Sequence, residues 1–208
     1  MLVTTDAIVL AFLPHSDKAR ILHAYTRAYG RINYMVYGSG RKHPVGLYTP
    51  LTCLQITADY PAATSSQLPT LKEVCPLSAT SDGNSMPNIY TQTIALFIAE
   101  VLYNTLRHPM PDEPMFDFIA ASARDLNSLS ADYKQKEMAN FHLSFLIDFA
   151  ARLGFAIDDC GEHAVLLSIP QTREQRQTQL RRLCAYFEQH VDNWIMPRSL
   201  EVLMDVFD

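Results

Sequence analysis

The chain has 208 residues, enough for one large domain or two small ones, and its 48% hydrophobic against 19% charged residues exclude global disorder. No run of about 18 apolar residues occurs, so no membrane-spanning helix is expected. The opening MLVTTDAIVLAFLPHSDK lacks the basic stretch and small-residue cleavage site of a secretory signal. The net charge of −5 conceals a split: residues 1–80 carry seven bases (Lys18, Arg20, Arg27, Arg31, Arg41, Lys42, Lys72) against four acids (Asp6, Asp17, Asp59, Glu73), a net +3, whereas residues 81–208 carry ten bases and eighteen acids, a net −8. Such an asymmetry is a mark of a nucleic-acid surface beside a differently employed half.

The first 75 residues read as short strands. Asp6–Leu13 is apolar and β-rich, Ala19–Thr26 is β-branched and aromatic, and Tyr29-Gly30 marks a turn. Arg31–Tyr37 alternates, with Ile32, Tyr34 and Val36 on the expected core face and Tyr37 on the other. Gly38-Ser39-Gly40 breaks the chain, Leu51–Ala58 forms a fourth strand and Leu71–Val74 a fifth. Four to five short strands with Gly and Pro punctuation suit a small closed barrel, which leaves no exposed edge. Ser78–Pro87 is polar and turn-rich and reads as a linker.

Beyond it the period is helical. Asn88–Arg107 places Ile94, Phe97, Ile98, Val101, Leu102 and Leu106 on one face, and Pro109, Pro111 and Pro114 end it. Further helices are expected over Pro114–Leu129, Lys134–Leu153 (stopped by Gly154), Thr172–Asn193 (with Thr172 as N-cap) and Pro197–Phe207. The fold class is α+β: an OB-like small barrel over residues 1–78, followed by an all-helical domain over 79–208. Cys53, Cys75, Cys160 and Cys184 are widely spaced with no CxxC pair, so free thiols and a reducing cytoplasm are expected. No phosphate-binding loop, GxSxG or HExxH motif occurs, so no catalysis is expected. Asp158-Asp159 is read as a solvated loop and His142 as a core histidine.

Several strings, in order, resemble the RecO family of bacterial recombination mediators. They are the Ala7–Leu10 strand, the polar turn His15–Lys18, a strand ending at Thr26, the Tyr29-Gly30 turn, and Gly40-Arg41-Lys42. Phe141–Cys160 and Pro197–Phe207 resemble the family's later helices. The resemblance implies a non-enzymatic mediator without cofactor. It implies binding of single-stranded DNA, of the acidic, Phe-ending tail of the single-strand-binding protein, and of a RecR-like ring protein, and no membrane partner. The rival is a protein adaptor whose barrel no longer binds nucleic acid. Many family members carry two cysteine pairs for zinc. Here Cys160 stands where the first would fall and no second pair follows, so no metal is expected and Cys160 is read as a relic or a buried thiol.

Single-strand binding needs cations that track phosphates and aromatic faces that stack bases. The N-terminal half interleaves both, and Lys18, Arg20, Arg27, Arg31, Tyr37, Arg41 and Lys42 are the expected contacts, with Tyr25 and Tyr29 among the interleaved aromatics and Tyr34 assigned to the core. Within the locally basic Thr172–His190 stretch and just beyond it, Arg176, Arg182 and Arg198 are the candidates for the acidic tail.

Overall fold

A computed structural model describes residues 1–38, 43–62, 66–77, 88–131, 135–161 and 163–206. The expected linker Ser78–Pro87, the loop Ser39–Lys42 with Arg41 and Lys42, and the expected helix ends Lys134 and Phe207 lie outside the described residues.

Five strands close into a barrel: β1 (Leu2–Ser16), β2 (Ala19–Thr26), β3 (Gly30–Tyr37), β4 (Cys53–Asp59) and β5 (Thr70–Pro76). They are ordered β1-β2-β3-β5-β4, with β4 returning to β1. Every neighbouring pair is antiparallel except β3 with β5, which meet in parallel at Met35 and Thr70. The long β1 serves two partners: Leu2–Ile8 pair with β4 and Ala7–Ser16 with β2. A register shift between Val9 and Ala11 inserts one residue and reverses the strand's inward parity. Ala7 and Val9 point into the barrel before it, and Phe12 packs on the same core after it.

The barrel interior is filled by Leu22, Ala24, Tyr34, Val36, Leu54, Ile56, Ala58 and Leu71. Tyr34 sits there as its strand parity predicts, with its hydroxyl paired to that of Tyr60 at 2.7 Å. Burial raises the Tyr34 hydroxyl far above the ordinary tyrosine range, the hydrogen bond to Tyr60 adding to the effect.

Five helices follow: α1 (Ile89–Thr105), α2 (Glu113–Ala131), α3 (Gln135–Arg152), α4 (Arg173–His190) and α5 (Leu200–Val206). Asp112 caps α2, its carboxylate accepting the Met115 N–H at 2.9 Å. The α3 exit is a Schellman turn: Gly154 has φ +93°, its N–H reaches the Ala151 carbonyl, and the Phe155 N–H reaches that of Ala150. Thr172 caps α4, completing a reciprocal box with the side chain of Gln175.

Two compact units result, one of Met1–Met86 with Leu106–Ala123, the other of Pro87–Thr105 with Arg124–Asp208. The stretch 106–123, which follows α1 in the chain, therefore folds with the barrel. In the second unit the buried faces of α1, α3, α4 and α5 form the core, with Phe97, Phe149 and Phe187 fully buried. No helix among the described residues is long and apolar enough to cross a membrane.

Candidate nucleic-acid interface

The five predicted barrel residues that the structure describes do not gather at one place. Lys18, Arg20 and Tyr37 meet at one end of the β1–β2–β3 sheet. Ser16 pairs with Ala19 across a two-residue turn, Asp17-Lys18, so Lys18 stands at the tip. Ala19 faces Tyr37, and Arg20 faces both Pro14 and Val36. The Gly38 N–H donates to the Lys18 carbonyl at 3.2 Å, which ties the end of β3 to the tip. Lys18, Arg20 and Tyr37 are all exposed, Tyr37 to 57%. No ion pair among the described residues engages Lys18 or Arg20.

Arg20 shares the inward parity of Leu22 but lies beyond the packed interior, so it emerges from the barrel mouth. Its guanidinium lies over the Phe12 ring, 5.4 Å from the centroid. Phe12 stacks on Tyr48 with ring centroids 4.2 Å apart, and the Tyr48 hydroxyl is 2.8 Å from His43 Nδ1. Tyr48 belongs to a short 3-10 turn, Val45–Tyr48, and its hydroxyl is pushed up to about 12 by burial. A ladder of three rings, Phe12 partly buried and Tyr48 and His43 buried, thus supports Arg20. Phe12, Tyr48 and His43 were absent from the sequence-based set; the alternation of β1 would have pointed to Phe12 only if the register shift were known.

Arg27 and Arg31 lie at the other end of β2 and β3, and both are engaged within the protein. Arg27 donates to the Asp117 carboxylate at 2.8 Å, lies 3.5 Å from that of Asp6, and covers the Phe116 ring at 4.4 Å. Hydrogen bonding to Asp117 leads in holding its guanidinium in the charged form. The half-buried Arg31 donates its side chain to the Leu106 carbonyl at 3.3 Å and its backbone N–H to that of His108. The turn between them is fixed from within: the buried Thr26 hydroxyl accepts the Tyr29 N–H and donates to the Gly30 carbonyl. Gly30 has φ +64°, and a Cβ there would land on the backbone of Met110. Residues 106–117 therefore cap this end, with Arg27 and Arg31, both among the expected contacts, as internal anchors. Tyr25 does not offer a stacking face, because it is buried against Phe116 and its hydroxyl is pushed up to about 12 by that burial, with Asp112 adding to it. Tyr29 braces the turn against Tyr60 at 5.3 Å.

The three partner-binding candidates also separate. Arg182, on α4, lines a hollow of about 380 Å³ with His163, Val165, Leu166, Tyr186 and Gln189. Its two aromatic lining residues meet, Tyr186 and His163 having ring centroids 5.0 Å apart, and Tyr186 is backed by His190 at 4.3 Å. Arg176 lies six residues earlier on another face of α4, beside the buried His142 and Leu203. Burial first, and the Arg176 charge second, push the His142 imidazole down to about 3, so it is neutral near pH 7. Arg198 is exposed on the approach to α5.

All four cysteines are free, and Cys160 is exposed rather than buried, in a polar turn where its N–H is accepted by the Asp158 carboxylate at 2.9 Å and its thiol by that of Asp159. Asp158, Asp159 and Cys160 bring donor atoms within 4.8 Å of one another, but all three are solvent-exposed. Cys184 is the buried thiol, and burial pushes it up to about 12, which makes it a poor nucleophile.

Comparison with known proteins assigns both parts of the chain. Residues 1–79 match the family model for the recombination protein O N terminal, and residues 86–165 that for the recombination protein O C terminal. The DNA repair protein RecO of Porphyromonas gingivalis is 32% identical over 163 residues, which cover 76% of this chain and 63% of that protein. That of Phocaeicola vulgatus is 33% identical over 159 residues, 74% of this chain and 61% of the relative. The match thus spans less than two thirds of these relatives. The corresponding protein of Christiangramia forsetii is 27% identical over an alignment of 252 positions that spans both chains in full.

Proposed function

The chain belongs to the recombination protein O family of DNA repair proteins, and from that premise we propose that it acts as a recombination mediator whose barrel mouth holds single-stranded DNA. The observation that carries the proposal is the convergence at one barrel end of exposed Lys18 and Arg20 with exposed Tyr37. Phosphates would lie against the cations, and the ring would take a base. Arg20 is already held over Phe12, so little rotamer freedom is lost when it meets a phosphate.

Partner binding is assigned to the helical unit. An acidic peptide ending in Phe would place its ring against Tyr186 and Leu166 and its carboxylates at Arg182, a pairing of an aromatic-lined hollow with a cation. In this scheme the barrel grips the strand while the helical unit engages the single-strand-binding protein's tail and a RecR-like ring protein. Recombinase loading and strand annealing then follow from competing binding equilibria, with no catalytic step and no cofactor. Annealing suits such a surface, because neutralised phosphates leave base edges free to pair.

The adaptor reading gains one specific observation: Arg27 and Arg31 are engaged internally, which leaves fewer cations for phosphate. Fluorescence anisotropy of a labelled single-stranded oligonucleotide across a salt series separates the two. The mediator reading requires binding that weakens steeply as salt rises. Absence of binding at low salt leaves the adaptor reading.

A further inference from the structure

We infer that the Arg182 hollow of the helical unit also receives a second copy of this chain, which enters it with the acidic turn at Asp158 and Asp159 and the aliphatic ridge of Val165, Leu167 and Ile169. The inference rests on the reading of that hollow as an acidic-peptide site and deepens it: the second copy and the peptide compete for one place.

The ridge faces outward because its backbone is fastened from beneath. The buried Gln179 amide donates to the Leu166 carbonyl and, at 2.9 Å, to that of Ser168. The Asn140 amide donates to the Pro170 carbonyl at 3.3 Å. Leu166 and Pro170 are buried, whereas Val165 is 51%, Leu167 36% and Ile169 74% exposed. Exposed aliphatic side chains in such a run mark an interaction surface. Displayed on a pinned backbone, they lose little freedom when they meet a partner.

Charge selects the occupant. Arg182 is exposed beside Tyr186 and His163, and no ion pair among the described residues engages it. Asp158 and Asp159 are exposed as well. Their carboxylates accept the Cys160 N–H and thiol, and no cation among the described residues pairs with either. Acids followed by aliphatics offer the hollow what an acidic peptide offers: carboxylates for Arg182 and an apolar group for Tyr186. The segment cannot fill its own hollow, because His163, Val165 and Leu166 form the wall. It serves in trans. Asp159 stands four residues before His163 and Ile169 four after Val165, so each lies within about 14 Å of the lining. A patch that carries cation and hollow beside acid and ridge is self-complementary about a two-fold axis, with Arg182 of each copy meeting the acids of the other. The contact is small and the C-terminal halves, at net −8, repel, so the dimer is weak.

The test is sedimentation velocity of the full chain over a concentration series. The wild type should pass from monomer to dimer with a dissociation constant of about 100 µM. Ile169→Glu should raise that constant at least about tenfold. Arg182→Glu and Asp158→Lys/Asp159→Lys should each be monomeric alone and should dimerise when mixed, because every charge then meets its opposite. A synthetic peptide of aspartates ending in Phe should dissociate the wild-type dimer. A wild type that stays monomeric to about 1 mM overturns the inference. So does a dimer that Ile169→Glu and the charge reversals leave intact, or one that persists while the peptide is bound. Peptide binding to a chain that never dimerises leaves the peptide reading standing alone. A dimer that binds no peptide overturns the peptide reading and the competition, and leaves the contact between copies.

Discussion

The two ends of the β2–β3 hairpin carry the same kinds of residue and put them to opposite uses. At the capped end two arginines and two tyrosines are drawn inward by groups from elsewhere in the chain: the carboxylates of Asp6 and Asp117, the carbonyl of Leu106, and the rings of Phe116 and Tyr60. At the mouth Arg20 lies over the Phe12 ring, but no carboxylate among the described residues pairs with Lys18 or Arg20. Lys18 and Arg20 stay in solvent without an ion pair among the described residues, and Tyr37 is bare. Interleaved cations and aromatics therefore do not by themselves say which side chains stay exposed. What decides is whether an acid or a carbonyl from a distant segment reaches them first.

The contrast can be broken most severely at Gly30. Gly30→Ala forces a side chain into a left-handed backbone and against Met110, and it should cost about 3 kcal/mol or more in denaturant unfolding. A loss below about 1 kcal/mol would mean that residues 106–117 can move off the barrel.

A pH titration sharpens the picture by separating the helical unit from both barrel ends. The His142 imidazole is lowered to about 3 in the folded state, below its unfolded value near 6.5. The unfolded chain thus takes up the proton first. The contribution of neutral His142 is fully present above about pH 6.5 and is lost as the pH falls from there toward about 3, amounting to about 2 kcal/mol by pH 5. His142→Leu should flatten that part of the stability profile. The buried His23, lowered mainly by that burial, adds a loss of the same sign in the barrel, which the variant leaves in place. An unchanged slope in His142→Leu would show that His142 does not carry the acid sensitivity.

The smallest effect is expected at Arg27. Its ion pairs are partly solvated, so Arg27→Ala should destabilise by about 1 kcal/mol. The affinity for single-stranded DNA should stay within about twofold. A larger loss of affinity than of stability would return Arg27 to the interface.

Much of the fold is legible in the sequence because its signals are local. Strand alternation places Tyr34 inside and Tyr37 outside, Tyr29-Gly30 makes the turn, Gly154 ends α3, and Thr172 caps α4. The failures are non-local. The Pro-rich stretch after α1 reads as a helix end, yet residues 106–117 cap a barrel whose last strand lies thirty residues upstream, and Arg27 meets Asp117 ninety residues away. The ladder of Phe12, Tyr48 and His43 depends on a register shift in β1 and on a 3-10 turn, neither of which has a periodic signature. Of the candidate site, Lys18, Arg20 and Tyr37 come together because they flank one hairpin tip. Arg27 and Arg31 are equally good in sequence and are engaged within the protein by partners that a linear reading cannot supply.

The most direct test of the account sets the two ends against each other in one assay: the salt dependence of oligonucleotide binding in Lys18→Glu/Arg20→Glu and in Arg27→Gln/Arg31→Gln, each checked for folding. The account predicts that the mouth variant binds at least about tenfold more weakly, with a salt slope shallower by about two phosphate contacts, and that the capped-end variant keeps the wild-type slope. A wild-type slope in the mouth variant with a reduced one in the capped-end variant would contradict it.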